Sequence, residues 1–451
     1  MNTNQTRMRT KPIFPLLVSM ALPMMFSMMI QSLYNIIDSI FVAKLGSDAF
    51  TAVSLIFPLQ NLVLAVAVGF GVGVNSCIAI ATGSQDIKRA ENAAMSGILL
   101  SILHSVLFIL FGIFATRPFL QMFTTNEAIL NMGSQYGYIV LCLSFGCLIQ
   151  VCYEKIFQAL GNMNITMIVL SVGAVINIIL DPIFIFGYLG FPAMGVAGAA
   201  IATVCGQISG LFIYIFYYHK KKDSILLQIS LKGFSPRIQI IRQLYTVGIP
   251  SSIMIALPSI LISSLNSMLV RFSSVHVAVL GIYYKLQTFI YLPSGGIVQG
   301  MRPIVGFNYG AGEMDRVKKT LDLSLVFTAA IMLVGTLLSL IIPEQLLLMF
   351  NANEETLKIG IPALRIISLG FLISSFGVIY SGAFEALGKG LSSLIISLLR
   401  QLVIILPLSG LLIPLIGPTG VWITLPIAES IASAISILLI RRTLRKLKHS
   451  I

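Results

Sequence analysis

The chain has 451 residues, 57% of them hydrophobic and only 10% charged, with a mean hydropathy of +0.96. No ordinary soluble domain has that balance, and at roughly 20 apolar residues per spanning helix the apolar content suffices for about twelve membrane spans and little besides. This excludes a sizeable soluble domain, and with it most nucleotide-driven pumps and sensor kinases; the net charge of +13 reads as membrane topology, and no nucleic-acid partner is expected.

The first apolar run, 13–41, follows Arg7, Arg9 and Lys11 as a signal peptide's core would. It continues past Phe41 and contains Pro23 and Asp38, so it reads as a retained first span. On it Ser27, Gln31, Tyr34, Asn35 and Asp38 recur at three- and four-residue steps, which predicts one polar stripe facing protein or water. Further spans are predicted near 51–80, 93–116, 132–158, 163–187, 194–218, 239–270, 276–307, 318–342, 357–386, 391–415 and 418–440. In the second, Gly69-Phe-Gly-Val-Gly73 reads as close helix packing or flexibility rather than a phosphate loop. The fourth carries Gln150, Glu154 and Gln158 on one face, with Glu154 and Lys155 able to pair locally. In the fifth, Asn177 and Asp181 are four residues apart, and Thr203 and Gln207 repeat that step in the sixth. The eighth holds Lys285 among Tyr283, Tyr284, Gln287 and Tyr291, either in the cleft or paired with Asp322 or Glu429. Cys77, Cys142, Cys147, Cys152 and Cys205 all lie in apolar runs, which argues against a disulfide framework and against zinc. His104, His219, His276 and His449 are widely separated, and neither a Walker A pattern nor HExxH occurs, so neither an enzyme nor a bound cofactor is expected.

Assigning loops alternately to the two membrane sides separates the basic residues. Arg7, Arg9, Lys11, Lys88, Arg89, Lys155, six bases between Lys220 and Arg242, Arg316, Lys318, Lys319, Lys389 and five tail bases fall on one side. Only Lys44, Arg117, Arg271 and Lys358 fall on the other. Both termini are therefore expected in the cytoplasm, with the chain multi-pass in the cell membrane and its basic segments against anionic lipid.

A fixed shift of 227 residues aligns the two halves. It pairs Pro23 with Pro250, Gly83 with Gly310, Arg89 with Arg316 and Gly161 with Gly388, and lays Phe157-Gln-Ala-Leu-Gly161 over Phe384-Glu-Ala-Leu-Gly388. Each half carries six spans, so both enter the membrane in the same sense. The expected fold is an all-α membrane protein of twelve transmembrane helices in two six-helix lobes, 1–218 and 239–451, related by a pseudo-two-fold axis along the membrane normal. Residues 219–238 form a cytoplasmic linker between them.

An ionisable group at mid-membrane costs about 2.5–3.5 kcal/mol even on insertion scales, so Asp38 and Asp181 require a partner or a task. Together with Asn177 and Thr203 they are expected to form one polar nest in the first lobe. Two carboxylates in a poorly hydrated site cannot both stay ionised at low cost, so the pair suits taking up a proton. A sodium ion would instead stabilise the ionised state through oxygens of Asp38, Asn177 and Asp181. Pro23, more than three turns from Asp38, removes an intrahelical hydrogen bond and marks a kink, either a hinge or static.

The six-plus-six repeat, with Leu22-Pro23, Leu33-Tyr-Asn-Ile-Ile-Asp38, Asn177-Ile-Ile-Leu-Asp181-Pro182 and Gly195-Val-Ala-Gly-Ala-Ala-Ile-Ala-Thr203, resembles the multidrug and toxic compound extrusion (MATE) transporters. The likeness covers almost the whole chain and points to the branch of DNA-damage-inducible protein F and related bacterial multidrug export proteins. The resemblance implies a secondary active exporter that moves organic cations or drugs outward against inward protons or sodium by alternating access, with ion-responsive carboxylates in the first lobe. The family's acids of the seventh and tenth spans are missing: the seventh reads Ser263-Ser-Leu-Asn266-Ser, and the tenth offers only Glu385 near its end. Gln31, Tyr34, Asn35, Gln150, Glu154, Lys285 and Tyr291 are candidate cleft residues, and the protein is expected to be monomeric. The alternative within transport is a lipid-linked oligosaccharide flippase, which Lys285, Arg302 and Arg400 converging on one cavity would favour. A membrane enzyme lacks an assembled catalytic set.

The charge distribution predicts that cysteines introduced at 220–222, on a background without native cysteines, resist an impermeant thiol reagent applied to intact cells. Ready labelling there reverses the orientation.

Overall fold

The computed structural model describes residues 3–222, 225–231 and 234–448; Lys232 and His449, and the Lys448 side chain, lie outside what it describes. Among the described residues every regular element is a helix. A short α1 (Thr3–Thr10) precedes α2 (Ile13–Ala43), α3 (Ser47–Gly83), α4 (Ile87–Gln121), α5 (Glu127–Cys142), α6 (Phe145–Ala159), α7 (Met163–Phe186) and α8 (Val196–Lys220). The second half runs α9 (Ile238–Leu269), α10 (Ser274–Gly310), α11 (Met314–Ile341), α12 (Pro343–Leu348), α13 (Glu354–Ala386), α14 (Gly390–Leu398), α15 (Ile405–Ile416) and α16 (Thr419–Lys448). Among the described residues eleven helical segments are long and apolar enough to cross a membrane, and the α5–α6 pair, bent by 42°, makes a twelfth. Outward-facing apolar side chains such as Phe114 (72% exposed) and Leu415 (77%) suit a surface whose solvent is lipid.

The expected spans are all present, with two departures. The fourth is broken at Leu143-Ser144 into α5 and α6, and the eleventh contains a π-helical turn, Leu399–Val403, between α14 and α15. Lys155, expected in a loop, lies in α6, where it is 3% exposed and hydrogen-bonded by Nζ to Glu154 Oε1 at 2.7 Å. A lysine beside a glutamate is less costly to bury as a pair than alone, and the topology bias survives without it.

The repeat is visible in local chemistry. Asn126 and Asn353, 227 apart, both cap helices, accepting from Ala128 N–H and Thr356 N–H at 2.9 Å. Gly161 and Gly388 both end helices at φ +74 and +75, the left-handed conformation that glycine takes without penalty.

The lobes meet along a seam in which small residues let backbones touch. A methyl carbon on Gly83 would sit 2.0 Å from the Phe307 carbonyl oxygen, and one on Gly310 would sit 2.0 Å from that of Ile80. Phe307 and Ile80 are themselves 227 apart, so the contact is reciprocal. Gly69 likewise meets the Ser252 backbone and Gly73 the Leu244 carbonyl, while Gly296 meets the Met25 backbone and Gly300 that of Ala21. The glycine cluster of the second span is thus a packing device, α3 seating α9 just as α10 seats α2. Among the described residues, hydrogen bonds between the halves run from Arg316 and Met8 at the face of the termini up to Gln299 and Met28, midway along α2.

Gly310→Ala forces a methyl into a backbone carbonyl and should cost about 1–3 kcal/mol, the range for overpacking. Gly410→Ala, with nothing within 4 Å of the new carbon, should be near neutral. Unfolding of the two purified variants in detergent compares them directly; equal stability would remove the seam from the account.

Candidate functional site

In the first lobe α2, α7 and α8 bring together the four residues singled out from the sequence. Asp181 is fully buried, Asn177 is 3% and Thr203 8% exposed, and Asp38 is half-buried. The carboxyl groups of Asp38 and Asp181 lie within hydrogen-bonding reach of each other. With its amide oxygen toward the Thr203 N–H (3.1 Å), Asn177 donates from Nδ2 to Asp181 Oδ2 at 3.3 Å; in the opposite orientation Nδ2 donates to Thr203 Oγ1 at 3.3 Å. Helices α7 and α8 can cross this closely because Gly173 and Gly206 face each other one turn away, a methyl carbon on Gly206 coming 2.7 Å from the Gly173 carbonyl oxygen.

One oxygen of each carboxyl, Oδ1 of Asp38 and Oδ1 of Asp181, is buried without a hydrogen-bond partner. A buried unpaired carboxylate oxygen is costly, and two in one nest mark a place for a proton or a cation. Among the described residues no three His, Cys, Asp or Glu side chains converge. A cation here would therefore rely on the two carboxylates with neutral oxygens of Asn177 and Thr203, ligands that suit a hard ion.

Tyr34 lies in the electrostatic reach of both acids. Sequence pattern does not reveal two further members. Tyr136 of α5, 2% exposed, lies within electrostatic reach of Asp38 and donates to Gln60 Oε1 of α3 at 3.3 Å. The available signal is Gln60 itself, an amide embedded mid-span beside Pro58.

The other candidates disperse. Gln31 is half-buried and Asn35 exposed, while Gln150 and Glu154 are buried inside the lobe at 7% and 6%. Glu154 is held by Lys155 and by Gln158 Nε2 at 2.8 Å. Gln158 Nε2 also reaches Met24 Sδ, the residue after Pro23, and Gln299 Oε1 of the second lobe, both at 3.3 Å. Pro23 sits within α2 at the seam, and Ser27 Oγ donates to its carbonyl at 2.8 Å.

The second lobe has paired charges. Glu385 is bonded by Arg302 and accepts from Ser251 Oγ at 2.6 Å. Lys285 does not pair with Asp322 or Glu429 as the sequence suggested: it is exposed, with Nζ 6.0 Å from the Phe350 ring centroid, because Glu429 is taken by Arg400. There Nη2 donates to Oε1 at 2.9 Å, and Nε lies 2.8 Å from Oε2. Arg400 rides on the π-helical turn and is seated against Gly377, whose added methyl would lie 2.9 Å from Arg400 Cδ. Tyr291 donates to or accepts from Ser374 Oγ at 2.6 Å. Arg302, Arg400 and Lys285 thus occupy three separate settings, and no cationic cavity forms from them. Beside the seam, an apolar groove of about 500 Å³ lies between α3, α4 and α9, walled by Phe70, Phe108, Phe111 and Tyr245.

The MatE family model matches residues 23–183 and again 250–411, two stretches whose starts differ by the repeat shift. The chain is similar to the multidrug export protein MepA of Staphylococcus aureus (strain MSSA476), 25% identical over 430 residues that cover 95% of this chain and 94% of that protein. It is also similar to a structure described as the outward-facing conformation of a multidrug resistance MATE family transporter of the MOP superfamily, with 27% identity, a TM-score of 0.92 and full coverage of both chains. A structure described as MATE in the bent conformation matches with a TM-score of 0.93 at 27% identity, covering 100% of this chain and 99% of that one.

Breaking the Arg400–Glu429 pair from one side should be worse than removing it. Arg400→Met or Glu429→Leu alone leaves a buried charge and should cost about 3–5 kcal/mol, whereas the double substitution should recover most of that loss. A double-mutant cycle from unfolding midpoints checks it; additive losses would mean the two side chains do not interact.

Proposed function

The chain belongs to the MatE family, the multidrug and toxic compound extrusion transporters, and from that premise we propose that it is a secondary active antiporter. It carries bulky organic cations or drugs out of the cell as protons, or sodium ions, run inward. We place it in the cytoplasmic membrane with both termini inside and assign the lobes to 1–218 and 239–451, joined by the 219–238 linker. The observation that carries the reading is the pair of embedded carboxyls, Asp38 and Asp181, on different helices, each keeping one buried oxygen without a partner. That arrangement can exchange an ion and a helix position together: a bound proton or cation removes the repulsion between α2 and α7 and lets them close.

Asn177 and Thr203 act as neutral ligands of the nest, and Tyr34 closes it toward the cleft. Pro23 removes one rung of the α2 hydrogen-bond ladder and lets the segment beyond it tilt relative to the segment before it. The concentration of inter-lobe contacts toward the face of the termini supports an outward-open state, with Gln31, Asn35 and Tyr291 near the walls of its cleft and Gln150 and Glu154 buried until the lobes rock. Apolar surface such as the Phe-lined groove suits varied, flat, poorly polar ligands, as multidrug export demands. The flippase alternative loses its support with the dispersal of Lys285, Arg302 and Arg400.

Ethidium efflux in cells lacking other pumps tests the proposal. Asp38→Asn and Asp181→Asn should each bring efflux near background while expression and insertion persist, because an amide keeps the shape but cannot cycle a proton. Glu385→Gln should be milder, and Pro23→Ala should lose more turnover than Pro250→Ala. In vesicles, an inward proton gradient without sodium, or a sodium gradient at constant pH, should drive transport in the unmodified chain. If neither gradient does, antiport is wrong; if the Asp variants transport normally, the nest is not the coupling site.

A further inference from the structure

The segments that lead into the first helix of each half cross to the other half and are held there. Arg316, at the start of α11, donates from Nη2 to the carbonyls of Met8 (2.9 Å) and Lys11 (2.8 Å), at and just beyond the end of α1. A guanidinium at the end of a helix satisfies carbonyls that have no intrahelical partner. Its Nε donates to Asn308 Oδ1 at 2.9 Å, and Asn308 Nδ2 reaches the same Met8 carbonyl at 3.4 Å. The matching position in the first half is Arg89, 227 residues earlier, and it makes the matching move. Its Nη2 donates to Gln243 Oε1, in the first turns of α9, at 2.8 Å. Asn92, one turn on, donates to the Ser235 carbonyl at 2.6 Å, and Glu91 Oε1 accepts the Gln228 N–H at 2.9 Å. Ser235 is the repeat mate of Met8, so the two halves bind equivalent carbonyls of each other's lead-in segments with different donors.

These bonds differ in kind from the rest of the interface. The glycine seam is backbone contact and offers no direction, whereas the arginine and asparagine bonds are directional and lie on the face of the termini, where the arginine and Asn92 side chains are only half-buried. Water can replace them when the lobes part, so breaking them is reversible. Their positions are also those that any opening on this face must separate first, one residue pair on each side of the pseudo-two-fold axis. We propose that Arg316 with Asn308, and Arg89 with Asn92, are positioning residues for transport: a pair of latches that hold the termini face closed and set how often it opens.

The inference rests on the alternating-access reading, and a distance measurement separates the two. Asn162→Cys and Lys389→Cys, repeat mates on the termini face of the two halves, carry spin labels on a chain whose five native cysteines are replaced by alanine. Pulsed dipolar spectroscopy then reads the ratio of long to short label separations. Arg316→Ala and Asn92→Ala, acting from opposite halves, should each raise that ratio by about tenfold, the shift expected for losing a hydrogen bond to a charged or buried polar group. Arg316→Lys, which keeps the charge but loses the fork, should raise it less. Arg117→Ala, which breaks an exposed pair with Glu127 on the far face, should leave it unchanged. Because the two alanine variants lie in different halves, failure of one to fold leaves the other to decide. If adding ethidium produces the long separation while both alanine variants keep the parent ratio, the latches are refuted and alternating access stands. A change of equal size in Arg117→Ala also refutes them. If no variant and no ligand ever yields the long separation, the alternating-access reading falls and this inference with it.

Discussion

Two bundles of six apolar helices have little reason to adhere in lipid, since hydrocarbon solvates their side chains as well as another helix does. What joins them is backbone contact, possible only where side chains are missing. Gly69, Gly73 and Gly83 on α3 and their mates Gly296, Gly300 and Gly310 on α10 supply those places, each meeting the other half's backbone. Because each contact occurs twice, the seam fixes the axis relating the lobes. Because it occupies the ends of α3 and α10 nearest the termini, it ties the lobes most closely on that face. A contact this close has little tolerance for sliding, so relative motion of the lobes is confined to rocking about it or parting from it.

On this symmetric frame the chemistry is asymmetric. Within its helices the first lobe holds two carboxyls with unpartnered oxygens, and the second holds arginines already neutralised by Glu385 and Glu429. The asymmetry extends to the two helices that carry the matching prolines. Behind Pro250, Ser251 is bonded to a carboxylate that Arg302 also holds, so this part of α9 is pinned to α10 and α13 by charge-assisted bonds. Behind Pro23, Met24 receives a neutral amide contact from Gln158 to its thioether at 3.3 Å, a weaker tie than a charge-assisted bond. The repeat therefore supplies its own comparison, a helix without an acid that is tied by charge-assisted bonds behind its proline and one without such bonds there that carries Asp38.

Much of this arrangement is legible in the sequence, and what is not has identifiable causes. Twelve spans, the repeat and the Asp38, Asn177, Asp181 and Thr203 grouping follow from hydropathy, a constant shift and four-residue spacing, all local or periodic signals. Pairing between distant embedded charges carries no such signal. Arg400 and Glu429 are both conspicuous as mid-span ions, yet nothing in their spacing joins them, and Lys285, also embedded, reads equally as a partner for Asp322, a partner for Glu429 or a cleft residue. The π-helical turn that aims Arg400 inward and Gly377 that makes room for it become visible only in three dimensions. Lys155 illustrates the converse case. A lysine at the end of an apolar run reads as a loop charge unless its neighbour Glu154 is credited with paying for its burial. Tyr136 escaped because one aromatic in an apolar span has no distinguishing pattern, and its role depends on Gln60 from another helix.

Helix α2 links these features physically. Its lead-in residue Lys11 is bonded by Arg316; Ala21 and Met25 sit in the seam; Met24 and Met28 accept from Gln158 and Gln299 at the floor of the cleft; and Asp38 lies in the nest. A helix transmits displacement along its axis with little loss except at a break in its hydrogen-bonding ladder, and the break here is Pro23, among the seam residues. A shift at Asp38 therefore reaches the cleft floor along an uninterrupted stretch, and reaches the latch only through the proline. Its mate α9 has the seam contacts and the proline but no acid, and Ser251 ties it down. On the proposed mechanism, ion binding would move the upper part of α2 against a fixed α9, so the floor contacts at Met24 and Met28 would loosen before the lobes part below them.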